Sequence, residues 1–276
     1  MKEELKNKKE YKRALSIAGF DGSGGAGIQA DLKTFSALGC YGMTVLTALP
    51  VQNTQGVRSI YEIPLKCIEE QIQAIFEDIG VDAVKIGMLH RPEIVGLVVN
   101  SLKKYGALNI VVDPVMVAKS GDRLLREDAI SALRELLVPI ATILTPNIPE
   151  AEDLLNRRIE SEAEMEKAAK DISKMGAQAV VLKGGHAGGQ FSKDCLWFQG
   201  EAYWFTEERI KTNNTHGTGC TFSAAIAAFL TQGQDIITAT KNAKKYLTGA
   251  LSSGAEYQMG YGNGPVNHFY NFTFKY

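Results

Sequence analysis

Residues 213–222, Asn-Asn-Thr-His-Gly-Thr-Gly-Cys-Thr-Phe, hold the residue types best suited to chemistry in this chain. Two glycines, Gly217 and Gly219, precede an Ala-rich apolar run, Ser223–Leu230, that reads as a buried helix. Glycines at such a junction let backbone N–H groups converge without obstruction from Cβ, and the helix adds roughly half a positive charge at its N-terminus. The turn is an anion cradle with a thiol, Cys220, in the first helical turn, and it points to phosphate chemistry.

A second Gly-rich stretch, Gly22-Ser-Gly-Gly-Ala-Gly27, follows the apolar run Ala14–Phe20 and has the form G-x-G-x-x-G. A dinucleotide site of this form needs a carboxylate about 20 residues on, at the end of the next strand, for the ribose hydroxyls. Residues 44–51 contain none, and after Asp31 the next carboxylate is Glu62, which argues against a dinucleotide-dependent oxidoreductase. No Gly-Lys-Ser/Thr occurs, so a Walker loop is absent as well. A tight strand-to-helix turn explains these glycines equally well.

The elements needed to position such loops alternate along the chain. Strand-like runs fall at Ala14–Phe20, Ala83–Gly87, Asn109–Asp113, Ala141–Thr145 and Ala179–Lys183. Helix-like spacing falls at Gly25–Leu38, Pro64–Ile79, Pro92–Tyr105, Arg126–Leu137, Glu162–Met175, Thr218–Leu230 and Asp235–Ser253. Tyr41–Val51 and Val57–Ile63 flank Gln55-Gly56 as a hairpin-like flap, and Lys193–Gln199 and Glu201–Thr206 flank Gly200 as an antiparallel hairpin. The pattern predicts an α/β fold, a mostly parallel central sheet with helices on both faces, an antiparallel edge and a small β flap. Ligands of such sheets bind at the carboxyl ends of the strands. Gly19, Gly87-Met88, Asp113-Pro114, Thr145-Pro146-Asn147 and Lys183-Gly184-Gly185-His186 gather there.

The 276 residues carry a net charge of −1, 22% charged and 45% hydrophobic residues, a balance that announces no nucleic-acid surface. Met1–Arg13 is rich in Lys and Glu and reads as a solvated extension rather than a signal or membrane segment, leaving 14–276 as one domain. Cys40, Cys67, Cys195 and Cys220 share no metal-type spacing, which suits a reducing cytoplasm without disulfides. His90, His186 and His268 share no helical spacing and are not expected to bind metal; packing is the expectation for Trp197 and Trp204.

Taken in series, Ala18–Gly39, Lys85-Ile-Gly-Met-Leu89, Asp113–Asp122, Thr145-Pro-Asn-Ile-Pro-Glu-Ala151, Leu182-Lys-Gly-Gly-His186 and Asn214–Thr221 resemble the motifs of the hydroxymethylpyrimidine/phosphomethylpyrimidine kinases of thiamine biosynthesis, in the same order. These kinases belong to the ribokinase-like superfamily. The resemblance runs from about Ala14 to the 264–268 segment, and it departs from the family at Phe20, Gly22 and Pro50.

The resemblance implies a ribokinase-like three-layer sandwich that phosphorylates 4-amino-5-hydroxymethyl-2-methylpyrimidine and then its monophosphate with ATP and Mg²⁺. It further implies a homodimer, with the flap contributing to the contact. Pyridoxal kinase on the same scaffold is the nearest alternative, and a catalytically silent nucleotide-binding regulator a more distant one. In this reading Gly217, Gly219 and Cys220 cradle the transferred phosphoryl. Lys183 serves the ATP phosphates, a solvated surface lysine being the alternative, and Asp113 supports the phosphate or the metal, or else forms the turn before Pro114. Thr215, His216 and Thr218 belong to the same phosphate set, with loop bracing an equal role for His216. Asn147 and Glu150 organise Mg²⁺ through water, or else form a helix cap, and the two roles are compatible.

Cys220 stands where sugar kinases of the superfamily carry an Asp base. A thiol at a helix N-terminus is expected to have a lowered pKa and so to accept the acceptor's proton, the alternative being a small pocket wall. Gln52, in Leu49-Pro-Val-Gln-Asn-Thr54, matches the glutamine that pairs with the aminopyrimidine edge, because a carboxamide offers a donor beside an acceptor. Gly19, Ala26, Asp31, Met88 and Val115 complete the expected acceptor pocket, with Phe20 as an added aromatic wall.

Overall fold

The structure, a computed structural model, describes residues 9–116, 127–185 and 188–272. Residues 1–8 of the expected extension, the 117–122 part of one motif, Arg126 and His186 lie outside the described residues.

The elements follow the order β1 (Arg13–Ala18), α1 (Gly27–Ala37), β2 (Tyr41–Leu46), β3 (Ala48–Asn53), β4 (Gly56–Glu62), α2 (Leu65–Asp78), β5 (Ala83–Ile86), α3 (Pro92–Lys104), β6 (Ile110–Val112) and α4 (Glu127–Ala132). They continue with β7 (Ile143–Leu144), α5 (Ile148–Leu155), α6 (Glu162–Ser173), β8 (Ala179–Lys183), β9 (Phe191–Phe198), β10 (Glu201–Glu208), α7 (Thr218–Thr231) and α8 (Ile236–Gly254). The main sheet has the order β10-β9-β8-β7-β6-β5-β1-β2. It is parallel from β8 to β2, and the β9–β10 hairpin joins it antiparallel to β8.

The central strands are continuous apolar runs because helices cover both faces of the sheet. Their side chains alternate between two cores. Leu15, Ile17, Val84, Ile86, Val112, Leu144 and Leu182 face one core, which the buried residues of α3, α5 and α6 complete. Ala14, Ala83, Val111, Ile143, Ala179 and Val181 face the other, beneath α7 and α8. Helix α7 is apolar nearly all round, with Ala224, Ala225, Ala227 and Ala228 fully buried, so it fits close between the sheet and its neighbours. Trp197 and Trp204 pack on the first core, as expected.

Three local expectations are corrected. The run Tyr41–Val51 is two strands: β2 stays in the main sheet, and β3 leaves it to pair antiparallel with β4 as a separate two-stranded flap spanning 48–62. The helix expected to end at Leu137 passes from α4 into a π-helical turn over Leu133–Leu137 and a 3₁₀ turn over Val138–Ile140. Pro139 explains this, since it has no N–H to donate and its ring crowds the carbonyl one turn back. Arg13 is the first residue of β1, not part of a solvated tail, and its guanidinium holds Asp82 at 2.6 Å.

Candidate active site

The chain runs to one side of β1 to form β2 and to the other to form β5–β8, so a crevice opens where strand order reverses. There the carboxyl ends of the strands place Gly19, Met88, Asp113, Asn147 and Lys183 around a cavity of about 630 Å³. The flap supplies Pro50 and Gln52 to its wall, and the N-terminus of α7 supplies Gly217, Thr218, Gly219 and Cys220.

The anion turn is shaped by close backbone approach. Gly217, the N-cap of α7, has φ 78°, and a Cβ there would collide with the carbonyl oxygen of Gly25. A Cβ on Gly25 would in turn strike the His216 ring. The two Gly-rich loops therefore interlock, with Asp21 as their hub. Its Oδ1 accepts the Ser23 N–H (3.0 Å) and hydroxyl (2.7 Å), and its Oδ2 accepts the N–H groups of Gly25 (3.1 Å) and Ala26 (2.7 Å). Oδ2 also lies 2.8 Å from His216 Nε2. Burial pushes the Asp21 carboxyl upward, but the hydrogen bonds from His216 and Ser23 outweigh it and bring it down to about 2. His216 thereby braces the loop, one of the two roles open for it. Sequence reading missed Asp21 itself. The signal was its place two residues before a Ser in a Gly-rich turn, the setting of an Asx-turn.

Opposite the turn, Lys183 Nζ donates to Asp113 Oδ1 at 2.8 Å, and Asp113 is almost fully buried. Burial disfavours the Lys183 ammonium, yet Asp113 and Glu150 overcome this and raise its pKa. Gly219 faces both groups, and a Cβ there would sit 3.2 Å from Asp113 Oδ2 and 3.4 Å from Lys183 Nζ. The capping box expected at α5 is present: Glu150 N–H donates to Asn147 Oδ1 (2.9 Å) and Asn147 N–H to Glu150 Oε2 (2.8 Å). Burial pushes Glu150 up to about 7, with Lys183 working against it. Among the described residues no three His, Cys, Asp or Glu cluster as a metal cage. Glu150 and Asn147 at the cavity wall instead fit a hard cation that keeps its water and phosphate ligands.

Two expectations fail here. Asp31 does not line the cavity. It is fully buried beneath it, accepting from Ser16 Oγ (2.5 Å) and Lys85 Nζ (2.8 Å). Lys85, also fully buried, is the residue that reaches the cavity wall, and the carboxylates of Asp31 and Asp113 hold its ammonium charged against the cost of burial. The Cys220 thiol is not lowered. Burial pushes it up to about 11, and the Lys85 charge only partly offsets this. The helix N-terminus favours the thiolate by less than the loss of water disfavours it.

Gly19, Ala26, Met88 and Val115 line the cavity, joined by Phe20. Gln52 Nε2 donates to the Phe20 backbone carbonyl at 3.1 Å, which fixes the orientation of the carboxamide. At the far end a second buried ion pair was missed: Lys244 Nζ lies 2.8 Å from Asp194 Oδ2 and 2.8 Å from Ser192 Oγ, and Asp194 Oδ1 accepts the Gly184 N–H at 2.9 Å. Lys244 sits on α8, with nothing in its local sequence to mark its partner. Thr215, Thr218 and His216 also reach the cavity. His268 stays away from it, its Nε2 3.1 Å from Thr221 Oγ1.

The sheet crevice, with a glycine turn at the N-terminus of α7 facing the buried Lys183–Asp113 pair, is that of the ribokinase-like fold. The family model for phosphomethylpyrimidine kinase matches residues 21–267, and the chain belongs to that family and is a kinase. It is 50% identical over 259 residues to the hydroxymethylpyrimidine/phosphomethylpyrimidine kinase of Rhizobium meliloti, covering 93% of this chain and 97% of the relative. Among solved structures it is similar to the phosphomethylpyrimidine kinase of Clostridium difficile (TM-score 0.78, 44% identity, 87% of this chain and 99% of that one). It is also similar to the pyridoxal kinase of Staphylococcus aureus in complex with AMP-PCP and pyridoxal (TM-score 0.86, 36% identity, 95% and 94%).

Proposed function

We propose that this kinase transfers the γ-phosphoryl of ATP to the hydroxymethyl oxygen of 4-amino-5-hydroxymethyl-2-methylpyrimidine, and then phosphorylates the monophosphate to the diphosphate, for thiamine biosynthesis. The observation that carries the acceptor assignment is Gln52, whose carboxamide is fastened beside Phe20 on the cavity wall that also holds Met88 and Val115. Its amide donor and carbonyl acceptor match a ring nitrogen beside an exocyclic amine, and the flat ring fits between small and apolar walls.

In this reading the N–H groups at Gly217–Cys220 and the Lys183 ammonium take up the charge of the phosphoryl in flight, the main task in such transfers. Asp113 orients Lys183 from behind. Mg²⁺, held at Glu150 and Asn147 through water, would neutralise the ATP oxygens. As the acceptor O–P bond forms and the bond to ADP breaks, the hydroxyl proton passes to Cys220. Only the minor thiolate fraction accepts it, because burial holds the resting group as a thiol and the Lys85 charge offsets this only in part.

Residues 14–276 act as one kinase domain in a cytoplasmic homodimer. The exposed flap residues Val51 and Tyr61 support the dimer, and light scattering on the purified chain tests it.

ADP formation with Mg·ATP, comparing the pyrimidine alcohol, its monophosphate and pyridoxal, tests the assignment. Turnover of both pyrimidines, with KM raised by Gln52→Ala, is the expected result. Turnover of pyridoxal alone would transfer the site to the alternative acceptor.

A further inference from the structure

The flap that carries Gln52 is not held by the main sheet. β3 pairs only with β4 in the two-stranded sheet, and its register shifts between Val51 and Gln52, so the hairpin needs an anchor elsewhere. Its base is tied by the Phe20 N–H to the Ala48 carbonyl (3.0 Å) and Gln52 itself by the Phe20 carbonyl (3.1 Å), while its tip is anchored on the loop 259–264 after α8. The Asn263 N–H donates to the Thr54 carbonyl at 2.8 Å, and the Gly262 N–H to Thr54 Oγ1 at 3.3 Å. Two glycines make room for the hairpin tip. A Cβ on Gly262 would collide with the Thr54 carbonyl, and one on Gly260, where φ is 70°, with the Thr54 side chain.

The same loop is tied at its other end to the phosphate turn. Gly264 carbonyl accepts the His216 N–H at 3.0 Å, and Asn214 Nδ2 donates to the carbonyls of Gly254 and Tyr257, both at 2.7 Å. A small cavity lined by Asn53, Thr54, His216, Met259, Gly260 and Pro265 marks where flap, loop and anion turn meet.

We infer that the 259–264 loop is a strap that holds the flap in register with the anion turn, and that Thr54 and Gly262 are positioning residues for Gln52. This rests on the assignment of Gln52 to the acceptor ring. Gln52 lies two residues from the strapped carbonyl, so a displacement at Thr54 passes directly to its carboxamide. Such displacements are costly, since about 1 Å of misplacement is enough to lose much of a positioned group's effect. The strap acts on the acceptor and leaves the Lys183–Asp113 end of the cavity untouched.

The test uses the full chain with Gly262→Ala, whose added Cβ must displace the Thr54 backbone, and Thr54→Val, which keeps the branched shape and deletes the hydroxyl acceptor. Gly262→Ala is expected to raise the KM for the pyrimidine alcohol about tenfold and to lower the preference for it over pyridoxal. The Kd for Mg·ATP should stay within about twofold, and amide hydrogen exchange should accelerate at 52–57. Thr54→Val should shift KM in the same direction by a smaller factor, and Thr54→Ser should restore it. Gln52→Ala runs alongside. If Gln52→Ala raises KM and Gly262→Ala leaves both KM and flap exchange unchanged, the strap is overturned while the Gln52 assignment stands. If Gln52→Ala has no effect on KM, the assignment falls and takes with it the strap's role in positioning that residue. A fall in Mg·ATP affinity equal to the change in KM would show general damage and would also overturn the strap.

Discussion

His216 Nε2 lies 2.8 Å from Asp21 Oδ2, across 195 residues of chain, and this contact locks the first Gly-rich loop to the anion turn. Asp21 is fully buried and carries four further hydrogen bonds, so removing the imidazole leaves a buried carboxylate short of its strongest partner. His216→Ala is expected to cost about 2–3 kcal/mol in urea unfolding and to lower kcat. His216→Asn, which can still donate, should recover part of both. Unchanged stability in the alanine variant would show that the brace is not energetically significant.

Gly217 combines a positive φ with a close approach to the Gly25 carbonyl. Gly217→Ala should cost about 3 kcal/mol by equilibrium unfolding, from backbone strain and displacement together. Gly185→Ala is the control, because nothing lies within 4 Å of a Cβ at that position. Equal stability of the two variants would refute the interlocked-loop geometry.

The Lys85–Asp31 pair is fully buried, with Nζ and Oδ2 2.8 Å apart. Lys85→Met or Asp31→Leu alone should destabilise by about 3–5 kcal/mol, because each strands a charge, whereas the double variant should cost much less than the sum. Additive losses in a double-mutant cycle would mean that the two groups are not coupled.

Cys220 is held as a thiol, pushed up to about 11, while Cys67 is exposed. Iodoacetamide labelling followed by peptide mass spectrometry should modify Cys67 first at pH 8. The Cys220 rate should climb about tenfold per pH unit through pH 10, since only the thiolate reacts. A Cys220 rate that levels off near pH 7 would show a depressed pKa and restore the expectation from its helix position.

His268 is buried, and burial lowers its pKa to about 3 from the usual 6.5. The unfolded chain then binds the extra proton between these values, so His268 withdraws stability as pH falls from 6.5 towards 3, by up to ~1.4 kcal/mol per pH unit. Glu150, raised to about 7, acts oppositely between pH 4.5 and 7. The comparison is therefore wild type against His268→Gln. The wild type should lose stability faster between pH 6.5 and 4.5, a window above the range where Asp21, lowered to about 2, contributes. Parallel stability curves would contradict a neutral buried imidazole.

The parallel sheet, the flap and the cap of α5 were all legible in the sequence because each rests on local information. Apolar runs such as Ala83–Ile86 and Ala179–Lys183, a turn at Gln55-Gly56, and Asn147 three residues before Glu150 are signals carried within a few residues. The glycine turn before α7 was legible for the same reason, since glycines before a buried helix imply close approach whatever the partner is.

Tertiary structure alone decided the partners and their solvation. Asp31 is expected in the acceptor pocket from the family resemblance; only the packing of α1 on the sheet buries it beneath the cavity against Lys85, 54 residues away. Lys244 meets Asp194, and Thr54 meets Asn263, through contacts no spacing rule encodes. The Cys220 thiol likewise follows from how much water the fold leaves around it, and desolvation, unlike helix position, is a property of the assembled structure.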